Sequence, residues 1–529
     1  MTMRRRDLLK AAPAALLPMP ALGQNMRSRT LRLVPSTDLV SLDPVISTAL
    51  VAVQHGYHVF DTLYGVDGQM RPHPQMAEGH QVSDDNLTWT IRLRDGLRFH
   101  DGEPVRSRDC AASLERWSRR DVYGRVYGAA VEAYETPDDR TLRIRLKTPF
   151  PRLLQAIGKP HSSPAFMMPE RIVKASPDTP ISEMVGSGPY RFLASEMDSG
   201  NLFAYAKFDG YRPRDEAPNW TSGGKVAHFD RVEWRVISDK STAVSALLQG
   251  EVDWIENLPA DLEPLAARSR DVRIQNADTL GTVLVMRFNH LTAPFNNPAL
   301  RRFVLEVAKQ SDYLATVTGG SPDAWRECAA MYPCTIAGVE EIGKERFGRL
   351  VGNEAAMREA LRATGYNNEK IVILNPADSA ALAPLGPITA DLLKRAGLNV
   401  DLQDMDWGTL LQRRGSKAPV EENGWSIFHS TWPSIAIADP VQNTTMRGEG
   451  SRGWPGWYES AEMESLTARW LAATDTAAQA RLQSEIHALA LREVPTLPLG
   501  IYFPKTAYRR DLTGVLDGSV RYPWNVRRG

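Results

Sequence analysis

Three cysteines in 529 residues are too few to staple a chain of this size, so its stability has to come from buried apolar surface. None of the three lies near the amino terminus, where a lipid anchor would be attached, and none stands at the spacing of a zinc site. Beyond the first residues no stretch approaches 18 consecutive apolar residues, which argues against a membrane-spanning helix. Repeats and low-complexity tracts are lacking too. There is no excess of either charge, since 63 basic residues face 63 acidic ones. A surface for nucleic acid or anionic lipid needs a basic excess or clustered Lys and Arg. A small neutral or zwitterionic ligand is compatible with this balance.

What is present starts with Arg5-Arg6-Asp7-Leu8-Leu9-Lys10 and an apolar run from Ala11 to Leu22. That run holds Pro13, Pro18 and Pro20, and at about a dozen residues it is too short for a bilayer that needs about 20. The expectation is a removable export signal over 1–23, cleaved after Ala21-Leu22-Gly23 and before Gln24. The paired arginines fit the twin-arginine route, which exports folded proteins; an ordinary basic leader of the general route is the alternative. Either carries the protein out of the cytoplasm, as a soluble periplasmic monomer without a lipid anchor. Losing Arg4, Arg5, Arg6, Lys10 and Asp7 leaves 59 basic and 62 acidic residues. In an oxidising compartment Cys328 and Cys334, which flank Pro333, can bridge; the alternative is a pair of thiols. Cys110 enters a helix and is expected to be a small buried core residue.

The length allows three or four domain-sized pieces. Leu87, Trp89, Ile91 and Leu93 alternate with polar residues, and Leu142, Ile144 and Leu146 repeat the pattern, as antiparallel strands of one small sheet would. Val232, Trp234 and Val236 alternate before a helix from Ser241 to Gln249 that Gly250 can terminate, and a strand at Val252 to Ile255 follows. Ile371 to Leu374, a helix ended by Gly397, and Leu398 to Leu402 form a second β-α-β unit. Asn297 with Pro298 opens a further helix. Two separated α/β regions predict two lobes with a cleft between them, and clefts between domains are where small-molecule sites concentrate.

The segment Ala77 to Val105, ending LRDGLRFHDGEPV, resembles the signature of the peptide, opine and nickel class of extracellular solute-binding proteins, family 5, that feed bacterial ABC importers. Ser41-Leu42-Asp43-Pro44, Gly186-Ser187-Gly188-Pro189-Tyr190, Leu247 to Asp253, and Asn289 with Pro294-Phe295 resemble the same family, in order along the chain. The resemblance implies an α/β, bilobal periplasmic-binding-protein fold of type II. Lobe one would combine 27–60, 184–280 and 499–529, with 61–183 as a small inserted subdomain. Lobe two would be 281–498, and crossings near 280 and 498 would form the hinge.

Trp407 to Arg414 and His429-Ser430-Thr431-Trp432 resemble the second-lobe segments that line the ligand cavity in oligopeptide-binding relatives. Aromatic side chains suit that task because they give large rigid faces at low entropic cost. Arg413 or Arg414 could hold a carboxylate in the arginine fork. The ligand-binding set implied is Thr48, Tyr127, Asn289, Trp407, Arg413, His429, Ser430, Thr431, Trp432 and Tyr502. One departure stands out: the family's amine-capturing aspartate, a few residues after the tryptophan, is missing from Pro433-Ser434-Ile435-Ala436-Ile437-Ala438. Thr48 also stands where some oligopeptide binders carry an acid. Opines, blocked peptides or other substituted ligands fit this pattern better than free-amine peptides.

Signals for chemistry are weak. Gly448 to Gly453 fits G-x-G-x-x-G, but Trp454-Pro455-Gly456 follows where a helix should open. His55 and His58 lack companions at metalloprotease spacing, and no G-x-S-x-G elbow surrounds Ser187. The expectation is therefore a solute receptor without enzymatic activity, metal or cofactor, which hands a small organic ligand to the permease subunits of an ABC importer. A secreted hydrolase of peptide-like substrates and a peptide-holding chaperone are the alternatives.

Overall fold

The computed structural model describes residues 29–336 and 338–529. The expected export signal lies outside them. Among the described residues two large sheets organise the chain, one of seven strands and one of six.

In the first sheet, strand Thr30–Val34 runs parallel between Arg231–Arg235 and Trp254–Leu258. Antiparallel strands Tyr190–Phe192 and Leu202–Lys207 extend one side, and Lys505–Arg509 with Val272–Asn276 the other. The alternating Val232 and Trp234 are both buried, as a strand with one face on the core requires. Helix Lys240–Leu248 follows the next loop, capped by Asp239, whose carboxylate accepts the Thr242 amide at 2.7 Å.

The second sheet runs in the order Trp325–Arg326, Thr496–Tyr502, Thr282–Phe288, Ile427–Pro433, Ile371–Pro376, Val400–Met405. Ile371–Pro376 is buried at every position, which suits a strand parallel to both of its neighbours and covered on both faces. Helix Leu385–Arg395 lies over it, with Leu385, Thr389 and Leu393 buried at one-turn spacing. The strand after this helix starts at Val400, two residues later than the sequence pattern predicts. Gly397 takes φ +97° and the Leu398 amide still bonds the Leu393 carbonyl at 2.9 Å, so these residues finish the helix. Helix Pro298–Val307 opens as expected, with the Asn297 side chain accepting from the Ala299 amide.

Between Asp61 and Glu183 the chain builds a separate four-stranded antiparallel sheet, ordered Ala77–Val82, Thr88–Leu93, Thr141–Leu146, Val131–Asp138. Trp89 faces Ile144 and Ile91 faces Leu142 across its centre. Helix Ser107–Arg120 covers it with Cys110, Leu114 and Trp117, all fully buried. Cys110 is thus a free core thiol.

The chain passes between the large sheets twice. The first passage is Ala277–Gly281. The second lies at Phe503-Pro504, not at the expected boundary 498/499, because Thr496–Tyr502 stays paired with Thr282–Phe288 as far as Tyr502 opposite Thr282. The passages touch, with the Ala277 amide donating to the Pro504 carbonyl at 2.7 Å. Gly281 is required here: its φ is +72°, and a Cβ would stand 2.6 Å from the Ile501 methyl and 2.9 Å from the Tyr502 carbonyl.

Cys328 and Cys334 form a disulfide closing a loop of sequence separation 6. A loop this short contributes about 2 kcal/mol in the chain-entropy model. Thiol titration of denatured, unreduced protein should therefore find one free thiol, that of Cys110; a count of three would remove the bridge.

Candidate functional site

Ligands of α/β sheets sit outside the carboxyl ends of the parallel strands. In the first sheet those ends are Val34, Arg235 and Leu258; in the second they are Pro376, Met405 and Pro433. The turn after Pro433 joins the two. The Ser434 amide donates to the Gly281 carbonyl at 3.0 Å, and the Ser434 and Thr335 hydroxyls both donate to the Leu280 carbonyl at 2.7 Å. Ile435, only 3% exposed, packs into the apolar cluster of the first lobe. The second-lobe turn is therefore seated on the first passage.

Period-two geometry divides the strand Ile427–Pro433 into two faces. His429 and Thr431 point one way. His429 is fully buried, its Nε2 within 2.8 Å of the Thr389 hydroxyl, and burial pushes its imidazole down to about 3. It is a neutral core residue. Ser430 and Trp432 point the other way, with Val285 and Val283 opposite them on the neighbouring strand. Trp432 is half-buried, meets Trp454 edge to face at 5.6 Å, and keeps an indole N–H without a partner. Tyr502 pairs with Thr282 on the far side of the same strand, one residue before the second passage, and burial raises its hydroxyl to about 12.

Helix Trp407–Arg413 follows the carboxyl end of Val400–Met405, capped by Asp406 accepting from the Thr409 amide at 2.9 Å. Of the two arginines at its end, Arg413 turns back to the Gly424 carbonyl at 3.4 Å. Arg414 takes the exceptional position. Its guanidinium lies 5.7 Å from the Trp407 ring, 5.4 Å from Phe428 and 5.9 Å from Trp454. Among the described residues no carboxylate or carbonyl pairs with it. Burial lowers its pKa only to about 10, so it is charged at neutral pH. A partly desolvated guanidinium held by aromatic faces and lacking a counter-ion is a ready carboxylate site. Trp454 links it to Trp432.

Besides His429, three residues of the expected set have other roles. Tyr127 is fully buried in the core of the inserted domain, edge to face with Phe150 at 5.9 Å. Asn289 uses both side-chain groups locally, its Nδ2 donating to the Trp425 carbonyl at 2.9 Å and its Oδ1 accepting from the Leu291 amide at 3.0 Å. Arg413 yields to its neighbour as described. Thr48 is exposed at the end of the loop leading to helix Leu50–Val59, and among the described residues no side-chain hydrogen bond engages it. His55 and His58 lie inside the first lobe against Tyr205, with ring centroids 5.7 and 4.6 Å from it. The Gly448 to Gly453 segment is a loop with one short 3-10 turn, Gly450–Arg452.

The inserted domain reaches the second lobe directly. Arg152 stacks over Trp470 at 4.5 Å, and Arg125 pairs with Glu449 at 3.3 Å. The groove of about 510 Å³ on the outer face of the small sheet is a separate feature. Its charges already pair with each other, Arg145 with Glu132 and Arg143 with Glu135, both at 2.9 Å. Among the described residues no three His, Cys, Asp or Glu side chains are placed to hold a metal ion, and no helix is long and apolar enough to cross a membrane.

The profile of the bacterial extracellular solute-binding proteins, family 5 Middle, matches residues 71–450. The chain belongs to this family. A relative, the "Probable peptide ABC transporter periplasmic-binding protein y4tO" of Sinorhizobium fredii (strain NBRC 101917 / NGR234), is 33% identical over 541 aligned positions covering 100% of both chains. The glutathione-binding protein GsiB of Salmonella typhi is 24% identical over 489 positions, 90% of each chain. Among solved structures, the binding protein AgaA with agropinic acid from A. tumefaciens R10 superposes with a TM-score of 0.77 at 20% identity, covering 94% of this chain and 99% of its own. The Helicobacter pylori protein DppA with the peptide STSA gives 0.78 at 20% identity, covering 96% and 99%. These likenesses establish the bilobal fold of family 5 for this solute-binding protein.

Proposed function

We propose that this family 5 protein works in the periplasm as the receptor of an ABC importer. It captures one peptide-like organic ligand between its lobes and delivers it to the permease subunits. The observation that carries the reading is Arg414, a half-buried guanidinium that has no counter-ion among the described residues and lies in a cage of Trp407, Phe428 and Trp454. A ligand carboxylate completes it, and Trp432, edge to face with Trp454, supplies an apolar wall. The y4tO relative's name points to peptides, and the export signal expected over 1–23 accounts for the location.

The second-lobe segment Pro433 to Ala438 offers no acid to a free amino terminus. The next carboxylate along the chain, Asp439, accepts the Val441 and Gln442 amides on Oδ1 at 2.9 and 3.1 Å. Opine-like and blocked compounds therefore fit this lobe better than plain dipeptides and tripeptides.

The test is a thermal-shift screen of peptides, blocked peptides and amino-acid conjugates, with each hit also assayed for turnover. A ligand that binds the native and not the unfolded chain adds about 2.7 kcal/mol of stability at a hundredfold excess over its Kd. The expected result is one chemical class that stabilises the protein and is recovered unchanged. Hydrolysis of a stabilising compound would overturn the receptor reading in favour of an enzyme.

A further inference from the structure

At the carboxyl edge of the first-lobe sheet, buried polar groups gather around Arg521 with hydrogen-bonding capacity that the fold leaves unused. Arg521 is 3% exposed; its backbone amide donates to Gln54 Oε1 at 3.1 Å and its Nη2 to the Gly518 carbonyl, while Nη1 has no partner among the described residues. Asp278, also 3% exposed, accepts the Leu280 amide on Oδ1 at 2.9 Å, and its Oδ2 has no partner. Gln54 Nε2 is buried and without a partner among the described residues as well, and the Tyr522 and Ser519 hydroxyls are buried beside each other. Native interiors rarely leave so many polar atoms of one neighbourhood unsatisfied.

The charges are arranged around the guanidinium without closing on it. Glu256, Asp278 and Asp517 all act electrostatically on Arg521, yet none forms an ion pair with it. Glu256 sits near the end of strand Trp254–Leu258 and holds the Ser36 amide at 2.7 Å, where the neighbouring strand Thr30–Val34 exits. The carboxy-terminal segment is laced to the first passage between the lobes. The Gly518 amide donates to the Ala277 carbonyl at 3.1 Å and the Thr279 hydroxyl to Asp517 at 2.8 Å. The cluster therefore adjoins Leu280, on whose carbonyl the second-lobe Ser434 is seated.

An unpaired guanidinium nitrogen near an unpaired carboxylate oxygen suits a group that carries both signs. An anion alone would leave the carboxylate oxygen of Asp278 uncompensated and repelled. An amine alone would do the same to Arg521. We propose that Arg521 and Asp278 bind the zwitterionic head of an amino-acid-like ligand, its carboxylate on Arg521 Nη1 and its ammonium on Asp278 Oδ2. The Tyr522 hydroxyl and Gln54 Nε2 supply further hydrogen bonds. Burial lifts the Asp278 carboxyl to about 6, and an ammonium on Oδ2 holds it ionised. This assignment rests on the receptor reading and adds the ligand class: compounds with ammonium and carboxylate on one carbon, such as side-chain-linked amino-acid conjugates.

Two isomers separate this from ordinary peptide capture. γ-Glu-Ala keeps ammonium and carboxylate on one carbon, whereas α-Glu-Ala parts them. Calorimetry on the mature protein should show γ-Glu-Ala binding at least tenfold more tightly than α-Glu-Ala, with N-acetylation of γ-Glu-Ala removing the preference. Asp278→Asn and Arg521→Lys should each cost tenfold or more for γ-Glu-Ala and little for α-Glu-Ala. If either variant fails to fold, judged by its circular dichroism melt, the isomer and acetylation comparisons on wild type decide alone. Equal affinity for the isomers, no binding of γ-Glu-Ala, or folded variants that bind like wild type would each overturn the head assignment. The receptor reading falls separately, when a stabilising compound from the wider screen is turned over.

Discussion

Lys225→Met should lower the unfolding free energy by about 3–5 kcal/mol, the usual cost of stripping one partner from a buried ion pair. The Lys225 ammonium lies 2.7 Å from Asp61 Oδ1, with the two side chains 1% and 2% exposed. It also stands 5.0 Å from the Trp524 ring and 5.6 Å from Tyr57. Without it the Asp61 carboxylate keeps only the Tyr211 hydroxyl at 2.8 Å and its neighbouring Thr62 amide at 2.9 Å, and a charge is left in an apolar interior. Asp61 opens the inserted domain, while Trp524 belongs to the carboxy-terminal segment, so the pair ties three stretches of chain far apart in sequence. Urea unfolding of both proteins measures the difference. A loss below about 1 kcal/mol, the range of exposed pairs, would show that solvent reaches this site. Removing both charges in Lys225→Met with Asp61→Leu should cost less than the single change.

Trp432→Ala should weaken binding of the tightest compound from the screen by about 2 kcal/mol or more, as loss of a central aromatic anchor does. The side chain is half-buried and leans on Trp454, so part of its ring surface is open to a ligand, while its N–H is buried without a partner among the described residues. Trp432→Phe separates the contributions, keeping most of the apolar wall and losing the N–H. Calorimetry with the three proteins reads both. Unchanged affinity in the alanine variant would mean that the ring packs against Val283 and Ile501 without meeting ligand, and the second-lobe site would have to move toward Arg414 alone.

The fold was legible wherever period and punctuation agreed. The alternation through Trp89 and Ile91 gave a strand whose partner, through Leu142 and Ile144, carried the same pattern, and the two pair as expected. Gly250 and Gly397 both close helices in the left-handed conformation. The second passage between lobes was less visible. Leu497, Leu499 and Ile501 alternate as any buried strand does, and nothing in that run says which of two sheets it joins. Only its pairing with Thr282–Phe288 decides.

The site divides in the same way. Trp432 and Trp407 carry local motifs, and their segments could be found from sequence. Arg413 and Arg414 are adjacent at a helix end, so local pattern named both; only the aromatic rings brought in by Phe428 and Trp454 distinguish them. Tyr127 was misread because an aromatic in a short helix serves a core and a cavity equally well. Asp278 and Arg521 left no trace, since each is an isolated charge in an irregular segment. Their proximity follows from the carboxy-terminal segment returning past the first passage, a relation between residues more than 240 positions apart.

The central claim is that the lobes close on a small ligand. The most direct measurement is small-angle scattering on protein unfolded and refolded to strip any carried-over ligand, recorded alone and at saturation with the compound giving the largest thermal shift. The account predicts that the radius of gyration falls on saturation and returns when the compound is dialysed away. One-to-one binding with an unchanged radius of gyration would contradict it.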